Sequence, residues 1–464
     1  MLLDASTTIN VGGSGGLALN GVIYGNGPFI KSGGGVLTFG GSGHNTYAND
    51  TIVSAGIMNL GKSGNKISVP GNLIVGPAPS GPVALARLLQ TGGMGGTTVT
   101  VNGNSLFDLN SYNAILTLLT LNDGGNVQTF GGTLSLADGA NVNVGSLSPL
   151  GSDVASTISG NVSLPIGGAT FNVAPHAPTP PLLFGPELDV PAAISGGSSG
   201  VLTVLSKYGL GQMDLRGNNS YFNQTRIYEG TLIAGSSGAL GSSSGGTYIH
   251  NNASLAMDGG VNVTSENVIL DSTNNAALDS WSGANTWAGP IYLNRDSSIH
   301  VNNSLAANGS ISGPGALLKN GFGSLTLGDF SGNTFSGETF VNQGTPYLNK
   351  PIAITAIPTA LEIGALDGSS AGTAINLNSY QIVGNIYVHS MGVYDVNGQI
   401  ENTDGLVLYG NATVQTEAGD VNLKTGAPII VAPGTNTTAT INGNLASRAD
   451  ARAGLLGGLL RPRR

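Results

Sequence analysis

The chain has 464 residues, of which 75 are glycine, none is cysteine and only 9% are charged, with a formal net charge of −9; an ordinary globular protein carries about 25% charged residues. The acidic balance excludes a nucleic-acid footprint, which needs clustered Lys and Arg, and the missing cysteines exclude disulfide frameworks and thiolate metal sites. The apolar content excludes disorder, the lack of a three-residue glycine period excludes collagen, and no apolar run is long enough for a transmembrane helix.

In chain order, "LLDASTTINV" from Leu2 matches "YLNRDSSIHV" from Tyr292, so the first residues read as a strand of a repeat. The start lacks the basic and apolar regions of a secretory signal. An internal fragment of a longer protein is therefore the expectation. "GVIYGNGPFIK" from Gly21 then matches "GSISGPGALLK" from Gly309 position for position. "KSGGGVLTF" at Lys31 returns as "KYGLGQMDL" at Lys207 and "KNGFGSLTL" at Lys319, a Lys-x-Gly-x-Gly-x-apolar-x-apolar pattern. An Asn-Ser/Thr-aromatic triplet follows in each copy, at Asn45 to Tyr47, Asn219 to Tyr221 and Asn333 to Phe335. Nine residues after the aromatic stands a glycine: Gly56, Gly230 and Gly344.

The first and third copies stay in step further on. Lys31 to Lys319, Gly56 to Gly344 and Pro70 to Pro358 are each 288 residues apart, and Asp108 to Asp395 and Gln128 to Gln415 are 287. One register held over about a hundred residues implies one structural unit used twice. Inside the copies the apolar period is two, as in Leu37 and Phe39, Met213 and Leu215, Leu325 and Leu327, and Gly/Asn/Ser clusters bound each run. Helical periodicity is nearly absent. The fold class is therefore all-β, and short strands between Gly/Asn corners suit a parallel β-helix, a solenoid that stacks each coil on the one below. A chain of β-sandwiches competes, but usually shows longer strands.

The expected organisation is β-helix repeats over 1–171, with the first copy from about 21; a proline-rich loop over 172–192, holding six of the 21 prolines; repeats again over 193–445; and a basic non-repeat tail over 446–464. The tail carries Arg448, Arg452, Arg461, Arg463 and Arg464, and a solvated end, read from a shifted frame, accounts for it. Pro346 stands where Met58 and Leu232 hold the inward position, so a distorted strand is expected there.

These motifs resemble the autotransporter-associated β-strand repeat, also called the passenger-associated transport repeat. Three motif copies carry the resemblance, with looser similarity up to about Leu445. It implies a right-handed parallel β-helix, exported and displayed at a bacterial cell surface. It implies no reaction. An autotransporter also has a signal and a membrane barrel; neither is read in these residues, and an anchor or barrel is expected in the full-length protein.

Chemistry is sparse. The five histidines, at 44, 176, 250, 300 and 389, lack partners at metal-site spacing and read as surface or loop residues. No phosphate loop, dinucleotide fingerprint or nucleophile elbow occurs. The recurrent acids Asp108 and Asp395 lie in "FDLN" and "YDVN", where alternation turns Phe107 and Leu109 inward and Asp108 outward, a structural place rather than a catalytic one. No catalytic, cofactor or metal residue is assigned. Lys31, Asn45, Tyr47, Gly56, Lys207, Asn219, Tyr221, Gly230, Lys319, Asn333, Phe335 and Gly344 are assigned as structural repeat positions. The expected function is a non-enzymatic, extended passenger-like scaffold, with adhesion to glycans or surface proteins as an added role. The alternatives are a polysaccharide lyase or hydrolase, marked by acids converging in a groove, and a glycan-binding adhesin, marked by exposed aromatics on one face.

Overall fold

Phe29–Ser32 shows how the coils form: Phe29 and Lys31 turn inward and Ile30 and Ser32 outward, the period-two alternation of a strand. Glycines with positive φ on either side then bend the chain into the next short strand. The computed structural model describes residues 1–77, 81–147, 154–175, 185–198, 200–201, 203–365, 369–432 and 437–448. Two compact units, Met1–Tyr248 and Ile249–Arg464, are considered separately. Each is all-β among its described residues, with parallel strands stacked as a β-solenoid.

In the first unit, Val36–Phe39 pairs with Gly56–Leu60, which pairs with Ala84–Leu88, Leu106–Asp108 and then Asn126–Gly145. Register puts Leu37, Met58, Ala86, Phe107 and Val127 in one column, and all five are buried. Burial of each large side chain contributes about 1.5–3 kcal/mol, so the column, not any single coil, holds the unit together. A second ladder runs through Thr7–Asn10, Phe29–Ser32, Thr51–Val53, Leu73–Val75 and Thr98–Asn102.

The second unit repeats the scheme. Ala284–Trp287, Ser304–Ala307, Ser324–Leu327 and Thr345–Leu348 stack in register, aligning Trp287, Ala307, Leu327 and Leu348 in the core. Pro346 sits within this ladder as a regular partner of Leu325. The strand is kept below, but pairing with the coil above is interrupted between the bridge of Gly344 with Gly372 and the pair of Tyr347 with Ile375. The expected distortion is confined to that gap in the ladder, since proline lacks the donor.

The proline-rich segment divides differently from expectation. Strands Ala169–Val173 and Leu188–Val190 occupy both its ends, and pairing of Ala169–Val173 with Val204–Tyr208 carries the solenoid past it. Its centre, 176–184 with His176, lies outside the described residues. The strand Thr440–Arg448 likewise reaches beyond Leu445, while 449–464, with Arg452, Arg461, Arg463 and Arg464, lies outside them.

Candidate functional site

The twelve repeat positions form one brace, built three times. Each lysine is buried with its ammonium turned to backbone carbonyls at a corner. Lys31 Nζ donates to the carbonyls of Ser32 (3.0 Å), Gly33 (2.5 Å) and Ala55 (2.8 Å). Lys207 meets Tyr208, Gly209 and Glu229 at 3.0, 2.6 and 3.1 Å, and Lys319 meets Asn320, Gly321 and Gln343 at 2.7, 2.7 and 3.2 Å. The third acceptor always precedes the motif glycine. Gly56, Gly230 and Gly344 have φ of 68, 65 and 68°, and a Cβ there would stand 2.5–2.6 Å from carbonyl oxygens of the Lys-x-Gly-x-Gly corner. Only glycine fits a left-handed position pressed against another backbone.

Each asparagine ties three coils. Asn45 Oδ1 accepts from Ile23 N (3.0 Å) while its Nδ2 donates to Ser68 O (2.8 Å). Asn219 does the same with Ile194 and Ala239, and Asn333 with Ile311 and Ala356. The aromatic position is buried beside a threonine four residues on: Tyr47 Oη bonds Thr51 Oγ1 at 2.5 Å and Tyr221 bonds Thr225 at 2.6 Å. Phe335 has no hydroxyl to offer Thr339.

Two lysines that sequence reasoning missed extend the brace. Lys62 Nζ donates to Gly21 and Gly40, and Lys350, 288 residues on, donates to Gly309. Burial lowers all five lysine pKa values, those of Lys207, Lys319 and Lys350 to about 8. The 288-residue offset was the signal that could have found the extra pair.

Each recurrent acid is held by groups of its own unit. Asp108 faces away from the apolar column as alternation demands, yet it is covered, only 2% exposed. Arg87 Nε donates to its Oδ2 (2.8 Å) and Asn110 N to its Oδ1 (2.7 Å), which corrects the solvent-facing placement. Asp395 accepts from Asn397 N at 2.8 Å. His389 follows the strand Asn385–Val388 in a loop, as one of its two readings had it, but is buried rather than on the surface: it bonds Glu362 at 2.9 Å and stacks on Tyr409 at 4.7 Å. His300 bonds Asp279, whose other oxygen accepts from Trp281 Nε1. Glu401, which sequence reasoning missed, is fully buried and accepts from Asn376 Nδ2, Gln381 N and Asn402 N. Burial, offset in part by these donors, raises its pKa to about 7.

The outer faces hold what remains for contact. Tyr208 and Tyr228 stack at 4.4 Å on the first unit, beside Arg226. An open groove of about 500 Å³ lies on another face of that unit, lined by Val83, Leu85 and Leu106 and by Asn104, Asn126, Gln128, Thr157 and Ser159. Gln128 is followed two residues on by Phe130, which is 53% exposed with φ of 51°.

With this geometry in place, similarity to known proteins is informative. Residues 29–60, 205–234 and 317–345 match the family model of the passenger-associated-transport-repeat, the three segments that contain the brace. The chain is also similar to the protein described as "Adhesin BmaC autotransporter" of Brucella suis biovar 1 (strain 1330), at 27% identity over 469 residues. That alignment covers 92% of this chain and 12% of the relative, so the chain spans about an eighth of the relative's length. No solved structure matches it significantly.

Proposed function

From a chain that carries the passenger-associated transport repeat three times, we propose a non-enzymatic scaffold segment of an exported, surface-displayed passenger, whose outer faces adhere to a partner. The observation that carries this reading is the brace. Lys and Asn spend their side-chain polar atoms on the backbone of their own corner and of neighbouring coils in all three copies, and the aromatic is buried in each, so the repeated chemistry builds the solenoid and turns none of these groups toward a substrate. Asp108 and Asp395, the recurrent acids, are engaged by Arg87 and by a turn amide respectively. The similarity to an autotransporter adhesin supports the adhesive role, and the exposed Tyr208 with its stacked partner offers the aromatic surface such a role uses.

Three measurements test this together. Protease added to intact cells of the source bacterium should digest the segment, purified chain coated on beads should attach to cultured epithelial cells, and a polysaccharide panel incubated with it should show no new reducing ends and no unsaturated product. Protection inside intact cells would overturn the display reading, failure to attach the adhesive one, and turnover of any polysaccharide the non-enzymatic one.

A further inference from the structure

Building on the adhesive reading, we propose that the groove of the first unit, flanked by Phe130 and Arg87, is a binding site for a neutral oligosaccharide chain. Three kinds of observation converge there.

The first is the unused polar lining. The side chains of Asn104, Gln128 and Thr157 make no hydrogen bond with the described residues, although the fold places all three in one groove. Amides and hydroxyls both donate and accept, which suits the alternating donors and acceptors of sugar hydroxyls. Arg87, Asp108, Gln128 and Ser159 form a single cross-strand row. Asp108 takes the Arg87 Nε and has its second oxygen filled by Asn110 N, so it positions a guanidinium whose terminal nitrogens remain for a ligand. The pair cancels its own charge. The groove is therefore polar without a net sign, which disfavours acidic polymers and anionic headgroups.

The second is the aromatic edge. The corner Thr129-Phe130 is matched by Thr416-Glu417, 287 residues on, with φ of 51 and 53° at the second residue. In both, the buried threonine Oγ1 accepts from a backbone amide of the next coil, Asn161 or Asn444, at 2.7 and 2.8 Å. A glutamate meets the backbone requirement of this corner, so the fold does not call for an aromatic. A phenylalanine held in a strained left-handed conformation and half in water points to a contact made outside the chain. Val83, Leu85 and Leu106 supply apolar surface inside the groove for the C–H faces of sugar rings, and Phe130, two residues beyond the lining Gln128, adds a ring at its flank. The second unit has Thr373, Ile375 and Met391 where the first has Leu85, Arg87 and Asn104, so the set belongs to the first unit alone.

The third is the closed sheet. The strands under the groove pair on both sides with neighbouring coils: Leu106–Asp108 with Ala84–Leu88 below and Asn126–Gly145 above. Among the described residues these strands leave no free backbone edge for a peptide to add as a strand, the main-chain mode by which sheets capture extended polypeptides. The volume falls in the range of small-ligand pockets, enough for a short stretch of a glycan crossing an open groove.

The test titrates the full chain with cellohexaose, maltohexaose, mannohexaose and chitohexaose, with a hyaluronan hexasaccharide and a random peptide library as competitors. At least one neutral hexasaccharide should bind with Kd below about 1 mM. Phe130→Gly and Gln128→Ala should each weaken it at least tenfold, and Tyr208→Ala, on another face, should leave it within twofold. Phe130→Gly also relieves the left-handed strain, so an unchanged or raised Tm separates lost binding from lost fold. The proposal is overturned if no neutral hexasaccharide binds, if groove variants bind as the wild type does, or if the groove binds peptide or hyaluronan instead. Attachment to cells that survives Phe130→Gly and Gln128→Ala would sink this site and leave the adhesive reading standing. Glycan binding without any attachment would do the reverse.

Discussion

Thr339 carries a buried hydroxyl without a hydrogen-bond partner, because Phe335 stands where the first two copies have tyrosine. The surrounding brace is otherwise the same, with Asn333 and Lys319 making the bonds of their counterparts. Restoring the missing hydroxyl should therefore stabilise the third copy. Phe335→Tyr is expected to add about 1 kcal/mol, a rise of roughly 2–4 °C in Tm for a unit of this size. Tyr47→Phe should do the opposite in the first copy by orphaning Thr51, at a loss of about 1–3 kcal/mol. Urea melts of the two variants measure both, and equal midpoints for Phe335→Tyr and wild type would show that the hydroxyl finds no bond.

At the scale of the coil, the corner tests whether shape or conformation dictates the glycine. Gly230 has positive φ and carbonyls of Gly209 and Gly211 2.6 Å from a would-be Cβ, whereas Gly13 has φ of 60° with open space around it. Gly13→Ala should cost only the left-handed penalty of about 1 kcal/mol. Gly230→Ala adds a backbone clash and should cost clearly more, about 3 kcal/mol or outright loss of folding, as read from thermal melts of the pair. This corner was legible in the sequence because all its parts lie within 26 residues and recur three times. Strand alternation, Leu37 with Phe39 or Leu325 with Leu327, was legible for the same reason: period two is local. What escaped were side chains whose partners lie one coil away. Asp108 looked exposed because Arg87, 21 residues earlier, covers it, and His389 because Glu362, 27 residues earlier, does. Coil lengths vary, with Gln128 facing Ser159 across 31 residues, so a fixed step along the chain does not predict such neighbours. The groove depends on the same irregular stacking.

Over a whole unit, buried ionisable groups make stability depend on pH in two opposite directions. At the 287-residue offset Glu401 replaces Ala114 and Tyr394 replaces Phe107, so the second unit holds a carboxyl where the first has only apolar groups. Its folded pKa of about 7 lies above the ordinary 4.5. Between those values the native state keeps a proton that the unfolded chain has lost, so Glu401 favours folding below pH 4.5 and that contribution is lost as pH rises through 7. The full effect is about 3 kcal/mol, on the order of 10 °C in Tm. The buried lysines run the other way. Their values near 8, against 10.5 unfolded, mean that the unfolded state binds more protons between those limits, so stability rises with pH there. Wild type should therefore be less stable at pH 7.5 than at pH 5, and should recover toward pH 9.5. Glu401→Gln mimics the protonated carboxyl and should remove the acid limb while leaving the alkaline recovery intact. Melting both proteins at pH 5, 7.5 and 9.5 decides it: if the variant's Tm falls between pH 5 and 7.5 as far as the wild type's, the acid limb arises elsewhere and Glu401 is not the group that the fold holds protonated.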